Sequence, residues 1–127
     1  MKTILVDAVH CFVIKGEGIL QAMYDLLKTY PNKKIILTNA DDEQFINFGL
    51  DKMPYEVFTL KHNPEKTNPK YYEIMLEQYG LDKKDVIYFE HDIKAVESAK
   101  SIGINSYLYD NDKKDINALK KFLDNNI

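Results

Sequence analysis

A chain of 127 residues, 45% hydrophobic and 29% charged, has the composition of one globular domain able to bury a core without disulfide or metal staples. Its net charge of −3 excludes the basic surface that nucleic acid or an anionic membrane requires, and all 17 basic residues are lysine. The single cysteine excludes an internal disulfide and suits a reducing cytosol, so a cytoplasmic protein is expected. The apolar runs are too short to span a bilayer, and Met1-Lys2-Thr3 leads straight into a strand, unlike a signal peptide.

Residues 3–8 open the chain with a strand that is apolar up to Asp7. A loop carrying Gly16 and Gly18 follows. A helix comes next, with Ile19, Leu20, Met23, Leu26, Leu27 and Tyr30 on a 3.6-residue period, closed by Pro31-Asn32. The second strand covers 34–38. Asn39 to Asp42 supply a cap for a short helix bearing Phe45 and Ile46, and Gly49 ends it. Val57-Phe58-Thr59-Leu60 reads as a third strand. The loop 61–68 contains Lys66, and Pro69 suits the first turn of a helix with Tyr71, Tyr72, Met75, Leu76 and Tyr79. Those tyrosines are expected in the core and its rim.

Gly80 stops that helix, and 86–90 form the fourth strand. A helix with Ile93, Val96, Ala99 and Ile102 runs to Gly103. A fifth strand lies around Asn105 to Tyr109, and the tail from about 113 is helical. Strands alternating with helices predict a parallel sheet covered on both faces, a three-layer α/β sandwich. Ligands bind such sheets outside the carboxyl ends of the strands. Asp7, Thr38 and the Glu90-His91-Asp92 run stand at three of those ends, and Lys66 stands before a helix.

At these positions the residues carry a resemblance. Ile4-Leu5-Val6-Asp7-Ala8-Val9-His10-Cys11 resembles the first motif of the haloacid dehalogenase (HAD) superfamily, apolar-Asp-x-Asp-Gly-Thr. Ile35-Ile36-Leu37-Thr38-Asn39 is similar to the second motif, Lys66-Thr67-Asn68-Pro69 with Tyr72-Glu73 to the third, and Ile87 to Ile104 to the fourth. The resemblance implies a single Rossmann-like domain over 1–127 with a five-stranded sheet of order 5-4-1-2-3. It implies an Asp7 nucleophile, a Lys66 that neutralises charge, and Thr38 with Asn39 on the phosphoryl group. Mg²⁺ would be held by Asp7, the backbone carbonyl of Val9, and Glu90 or Asp92. Only 30 residues separate Asp7 from Thr38 and 27 separate Thr38 from Lys66, too few for an inserted cap domain. An uncapped site is open, so its phosphorylated substrate would be large, or a second copy in a homo-oligomer would cover it.

Four departures from the motifs matter. Val9 stands where the family's second Asp acts as general acid, a loss worth roughly 10²–10⁴ in rate. His10 and Cys11 replace Gly-Thr, so the turn there is expected to differ. Thr67 replaces a proline. The usual second acid of the fourth motif aligns with His91, between two acids. His62 and His91 lack metal-ligand spacing, and His10 beside Cys11 reads as loop packing, because adjacent side chains diverge. The expected function is a Mg²⁺-dependent phosphohydrolase working through an aspartyl-phosphate on Asp7, weakened by Val9. The alternative is a catalytically degenerate HAD-like domain that binds a phosphorylated ligand or a protein partner.

Overall fold

The computed structural model describes residues 1–127. Five parallel strands form its sheet: β1 (Thr3–Asp7), β4 (Lys34–Thr38), β5 (Glu56–Thr59), β6 (Val86–Glu90) and β7 (Asn105–Leu108). Two short antiparallel strands, β2 (Val13–Ile14) and β3 (Gly18–Ile19), make a separate hairpin where a plain loop is expected from the sequence. The sheet order is β5-β4-β1-β6-β7. Counting only the five sheet strands, this is the expected order read from the other edge. The hairpin shifts the numbering. No inserted domain interrupts the connections between β1, β4 and the Lys66 loop.

The three central strands read as apolar runs because both faces are covered. Every residue of β1 and β6 is buried, whereas the edge strands β5 and β7 each bury a single residue, Phe58 and Ser106. Side chains alternate between faces with period two, and the core divides accordingly. Ile4, Val6, Ile36, Ile87 and Phe89 pack on one face with Met23, Leu26 and Leu27 of α1 (Gln21–Lys28) and Leu119 and Leu123 of α5 (Ile116–Asn126). Leu5, Ile35, Leu37, Phe58 and Tyr88 pack on the other. There they meet Tyr71, Tyr72 and Met75 of α3 (Lys70–Tyr79) and Ala99 of α4 (Ile93–Ser101).

Helix ends follow local chemistry. Asp41 caps α2 (Asp42–Asn47) in a reciprocal capping box with Gln44, inside the expected 39–42 window. Gly80 ends α3 at φ 63°, a left-handed conformation that a Cβ would oppose. Asp92 and Asp115 cap α4 and α5 through their side chains. No helix is long and apolar enough to cross a membrane.

Leu5 sits in the central strand with no exposed surface, while Ile46 on α2 is 62% exposed. Urea denaturation is expected to show that Leu5→Ala loses about 2–5 kcal/mol. Ile46→Ala is expected to change stability by no more than about 0.5 kcal/mol. Similar losses at both positions would contradict this placement of the core.

Candidate active site

β1 and β6 lie side by side in parallel register, Val6 opposite Phe89, so their last residues Asp7 and Glu90 emerge together. Asp7 shares the parity of Leu5, and Glu90 that of Tyr88, which puts both carboxylates toward α3. Lys66 lies on the loop entering α3 and meets them there. Its Nζ donates to Asp7 Oδ1 at 2.6 Å and to Glu90 Oε1 at 2.9 Å, and all three groups are buried. Asn39, just past β4, accepts from the Lys66 backbone N–H at 2.8 Å and pins the loop.

The remaining carboxylate oxygens are also engaged. The His91 ring contacts Asp7 Oδ2 through Nδ1, which must carry the proton because an ionised carboxylate only accepts. The Cys11 thiol donates to the same oxygen at 3.3 Å. Glu90 Oε2 accepts the His91 and Asp92 backbone N–H groups at 3.0 and 3.1 Å, and Oε1 accepts the Tyr88 hydroxyl. Behind Tyr88, the Tyr72 hydroxyl lies 3.2 Å away. Tyr71 donates to the Thr38 carbonyl at 2.8 Å. Of the tyrosines expected in the core and its rim, Tyr71 and Tyr72 thus also place their hydroxyls behind the site.

These contacts set the charges. Burial by itself would raise the Asp7 pKa, but the Lys66 ammonium and the His91 ring outweigh it and hold the carboxyl far below its ordinary range. Burial would likewise strip Lys66 of its proton, yet the Asp7 and Glu90 charges drive its pKa well up. Burial and the Asp7 charge raise Glu90, partly countered by Lys66. Hydrogen bonds to Asp7 and Glu90 push His91 up to about 10 against burial. The Cys11 thiol is pushed well up by burial and both acids, so it is no ready nucleophile.

A cleft of about 170 Å³ opens above this cluster. Asp7, Val9, Thr38, Asn39, Lys66, Glu90 and Asp92 all line it, so every residue singled out from the sequence reaches one place. The volume is below the roughly 300–1,000 Å³ of sites that enclose a drug-sized ligand. It suits one small polar group with the rest of its molecule in solvent. Thr38 Oγ1 accepts from the Ala40 N–H at 3.2 Å, and no protein acceptor takes its hydroxyl proton. Gln44 and His62 form the rim, with Nε2 of His62 2.6 Å from Gln44 Oε1.

In the turn after Asp7, His10 adopts φ 73°, a left-handed conformation that glycine takes more readily, at a strain of order 1–3 kcal/mol. His91, set aside on spacing, is central, because its contact with Asp7 spans 84 residues of sequence and no local spacing can reveal it. The one signal was its alignment with an expected acid. Cys11 joins Asp7 and His91 in one cluster, and His10 meets the His91 ring edge-on at 5.1 Å.

The oxygens expected to hold Mg²⁺ fit that ion poorly. Mg²⁺ demands near-octahedral oxygen ligands at about 2.0–2.1 Å. Here both oxygens of Asp7 and both of Glu90 already accept hydrogen bonds. Asp92 is exposed and spends Oδ1 on the N–H of Lys94 as the α4 cap. The side chain placed against Asp7 is an imidazole.

No family model and no curated protein matches the chain. Solved structures do. A HAD family enzyme from Bacteroides thetaiotaomicron, an aspartate-to-alanine mutant in complex with magnesium and inorganic phosphate, superposes with a TM-score of 0.70 at 13% identity. That match covers 85% of this chain and 93% of the other. A HAD-superfamily hydrolase of subfamily IA from Geobacter sulfurreducens gives 0.64 at 13% identity, covering 94% and 96%. The D,D-heptose 1,7-bisphosphate phosphatase from B. bronchiseptica, complexed with magnesium and phosphate, gives 0.59 at 18%, covering 85% and 80%. The chain has the HAD fold.

Removing the buried ammonium leaves two uncompensated acids, so Lys66→Met is expected to lose about 3–5 kcal/mol in chemical denaturation. The pKa of His91 rises from 6.5 to about 10 on folding. Its stabilising contribution is therefore complete below pH 6.5 and disappears as pH climbs through 10. The Tm difference between wild type and His91→Gln should be greatest in acid and narrow over that range. A difference that is flat with pH would show that His91 is not held protonated.

Proposed function

We propose that the protein is a phosphohydrolase in which Asp7 attacks the phosphorus of a phosphate ester. The P–O bond to the leaving group breaks, its electron pair stays on the leaving oxygen, and an acyl phosphate remains on Asp7. Water then cleaves that intermediate, returning the carboxylate and inorganic phosphate. The observation that carries this reading is the Asp7 carboxylate, kept anionic at the end of the central strand by Lys66 inside a cleft of the HAD fold. Thr38 and Lys66 face the same cleft and supply donors for phosphoryl oxygens.

Val9 offers no proton to the departing oxygen. Substrates whose leaving group is stable as an anion, aryl or acyl phosphates, therefore suit the site best. The small open cleft grips the phosphoryl group and leaves the remainder outside, which fits a large phosphorylated substrate. Mg²⁺ is the ion the resemblance implies, with Asp7, the Val9 carbonyl, Glu90 and Asp92 as its nominal ligands. The engaged oxygens argue against routing any step through it.

A second reading has its own support. Val9, together with two cationic side chains on Asp7, favours a degenerate domain that binds a phosphorylated ligand or a partner without turnover. Turnover of p-nitrophenyl phosphate separates the two. Wild type should exceed Asp7→Asn, and Val9→Asp should raise the rate, by up to order 10² where proton donation limits. Wild type no faster than Asp7→Asn would sink the hydrolase and leave the binding domain.

A further inference from the structure

The cleft holds more hydrogen-bond donors than its own acids consume. Lys66 carries three N–H donors and spends two, on Asp7 and Glu90. His91 Nδ1 lies against Asp7 Oδ2 and 3.1 Å from Glu90 Oε2, and a ring facing two carboxylates carries both protons, so Nε2, which has no protein partner, is a free donor. The ring lines the cleft with 26% of its side chain exposed. The Thr38 hydroxyl has a proton to give. Each side chain enters from a different element: the loop before α3, the end of β6 and the end of β4. The acceptors, by contrast, are nearly used up: Asp7 Oδ1 takes one donor, and the other three oxygens take two or more. Four carboxylate oxygens, two on Asp7 and two on Glu90, all accept N–H or O–H groups.

A divalent cation entering here would have to displace His91 from Asp7 and sit beside a buried ammonium. An oxyanion would displace nothing. Its oxygens would meet donors already fixed by the contacts behind them, with no reorganisation on binding. Two negative carboxylates beneath the ligand are covered by Lys66 and His91, so the floor presents donors to the cleft.

We infer that this site binds the phosphoryl oxyanion without a divalent cation, with Lys66 Nζ, His91 Nε2 and Thr38 Oγ1 as its donors and the His91 ring occupying the place a metal would need. The inference deepens the proposed function and rests on it for the identity of the ligand, though not on turnover. His91 is then a binding residue in direct contact with the phosphoryl group. The same geometry makes the single residue at position 91 the switch between a metal-dependent and a metal-independent site.

The experiment is calorimetric binding of inorganic phosphate to the full chain, first in EDTA and then with millimolar Mg²⁺, together with a titration of Mg²⁺ alone. Wild type is expected to bind phosphate in EDTA, with an affinity Mg²⁺ leaves unchanged, and to take up no Mg²⁺. His91→Asp should gain Mg²⁺ binding and need the ion to hold phosphate. His91→Ala, losing one charge-assisted hydrogen bond, should weaken phosphate binding by about ten- to a hundredfold. Phosphate binding by wild type that requires Mg²⁺, or no phosphate binding under either condition, overturns the inference. So does uptake of Mg²⁺ by wild type that Asp7→Asn abolishes.

Asp7, Cys11 and His91 place their ligand atoms within 4.8 Å of one another, a set softer ions favour over Mg²⁺. Co²⁺ binding with a thiolate charge-transfer band, lost in Cys11→Ser, would therefore also overturn it. The two hypotheses fail separately. Phosphate bound in EDTA by a protein with no Asp7-dependent turnover ends the hydrolase and keeps the metal-free site. Asp7-dependent turnover that needs Mg²⁺ does the reverse.

Discussion

One buried ammonium holds this site together. Lys66 lies between Asp7 and Glu90 with 5% of its surface exposed, within hydrogen-bond distance of both. An isolated charge at such depth would cost several kcal/mol in lost hydration, and so would each carboxylate. None of the three is tolerable without the others, so the ends of β1 and β6 and the loop before α3 are obliged to converge. The geometry that ligands meet is a consequence of that electrostatic obligation.

Around this contact the fold supplies rigidity at short range. The sheet alternation that sends Leu5 and Tyr88 into the α3–α4 side of the core also sends Asp7 and Glu90 to that side. Tyr88 reaches two residues along its own strand to bond Glu90, and Asn39 holds the Lys66 backbone. Packing and chemistry are therefore the same structure seen at two heights: apolar side chains below, charged ones at the strand ends. The loop between Asp7 and the hairpin adds a strained His10, whose φ of 73° lies in the left-handed region that glycine favours. Local strain of this kind persists where surrounding contacts over-determine the chain.

The polar lining distinguishes a place from a reaction. The Asp7 carboxylate, the Lys66 ammonium and the Thr38 hydroxyl are all present in one cleft. The proton donor expected two residues after Asp7 is a valine, whose backbone carbonyl survives and whose side chain can transfer no proton. An imidazole stands against Asp7 where an acid is expected from the motif. In the proposed hydrolase those two exchanges would act in opposite directions: the valine would slow departure of a poor leaving group, and the imidazole would add a donor for an anionic ligand.

Hydrophobic periodicity alone determined the alternating elements, the parallel sheet and the strand ends at Asp7, Thr38 and Glu90, because burial on two faces forces continuous apolar runs that stop where the chain meets water. The order of the motifs along the chain placed Lys66 beside them. Tertiary structure alone decided how those groups are spent. That Glu90 is an anchor for Lys66 depends on a hydrogen bond between two elements of the fold. The role of His91 depends on a contact 84 residues long, and that of Cys11 on a turn whose backbone conformation its residue types do not announce. Local sequence encodes which face a side chain takes. It does not encode which partner arrives there from another strand, and the chemistry of this cleft is set by partners.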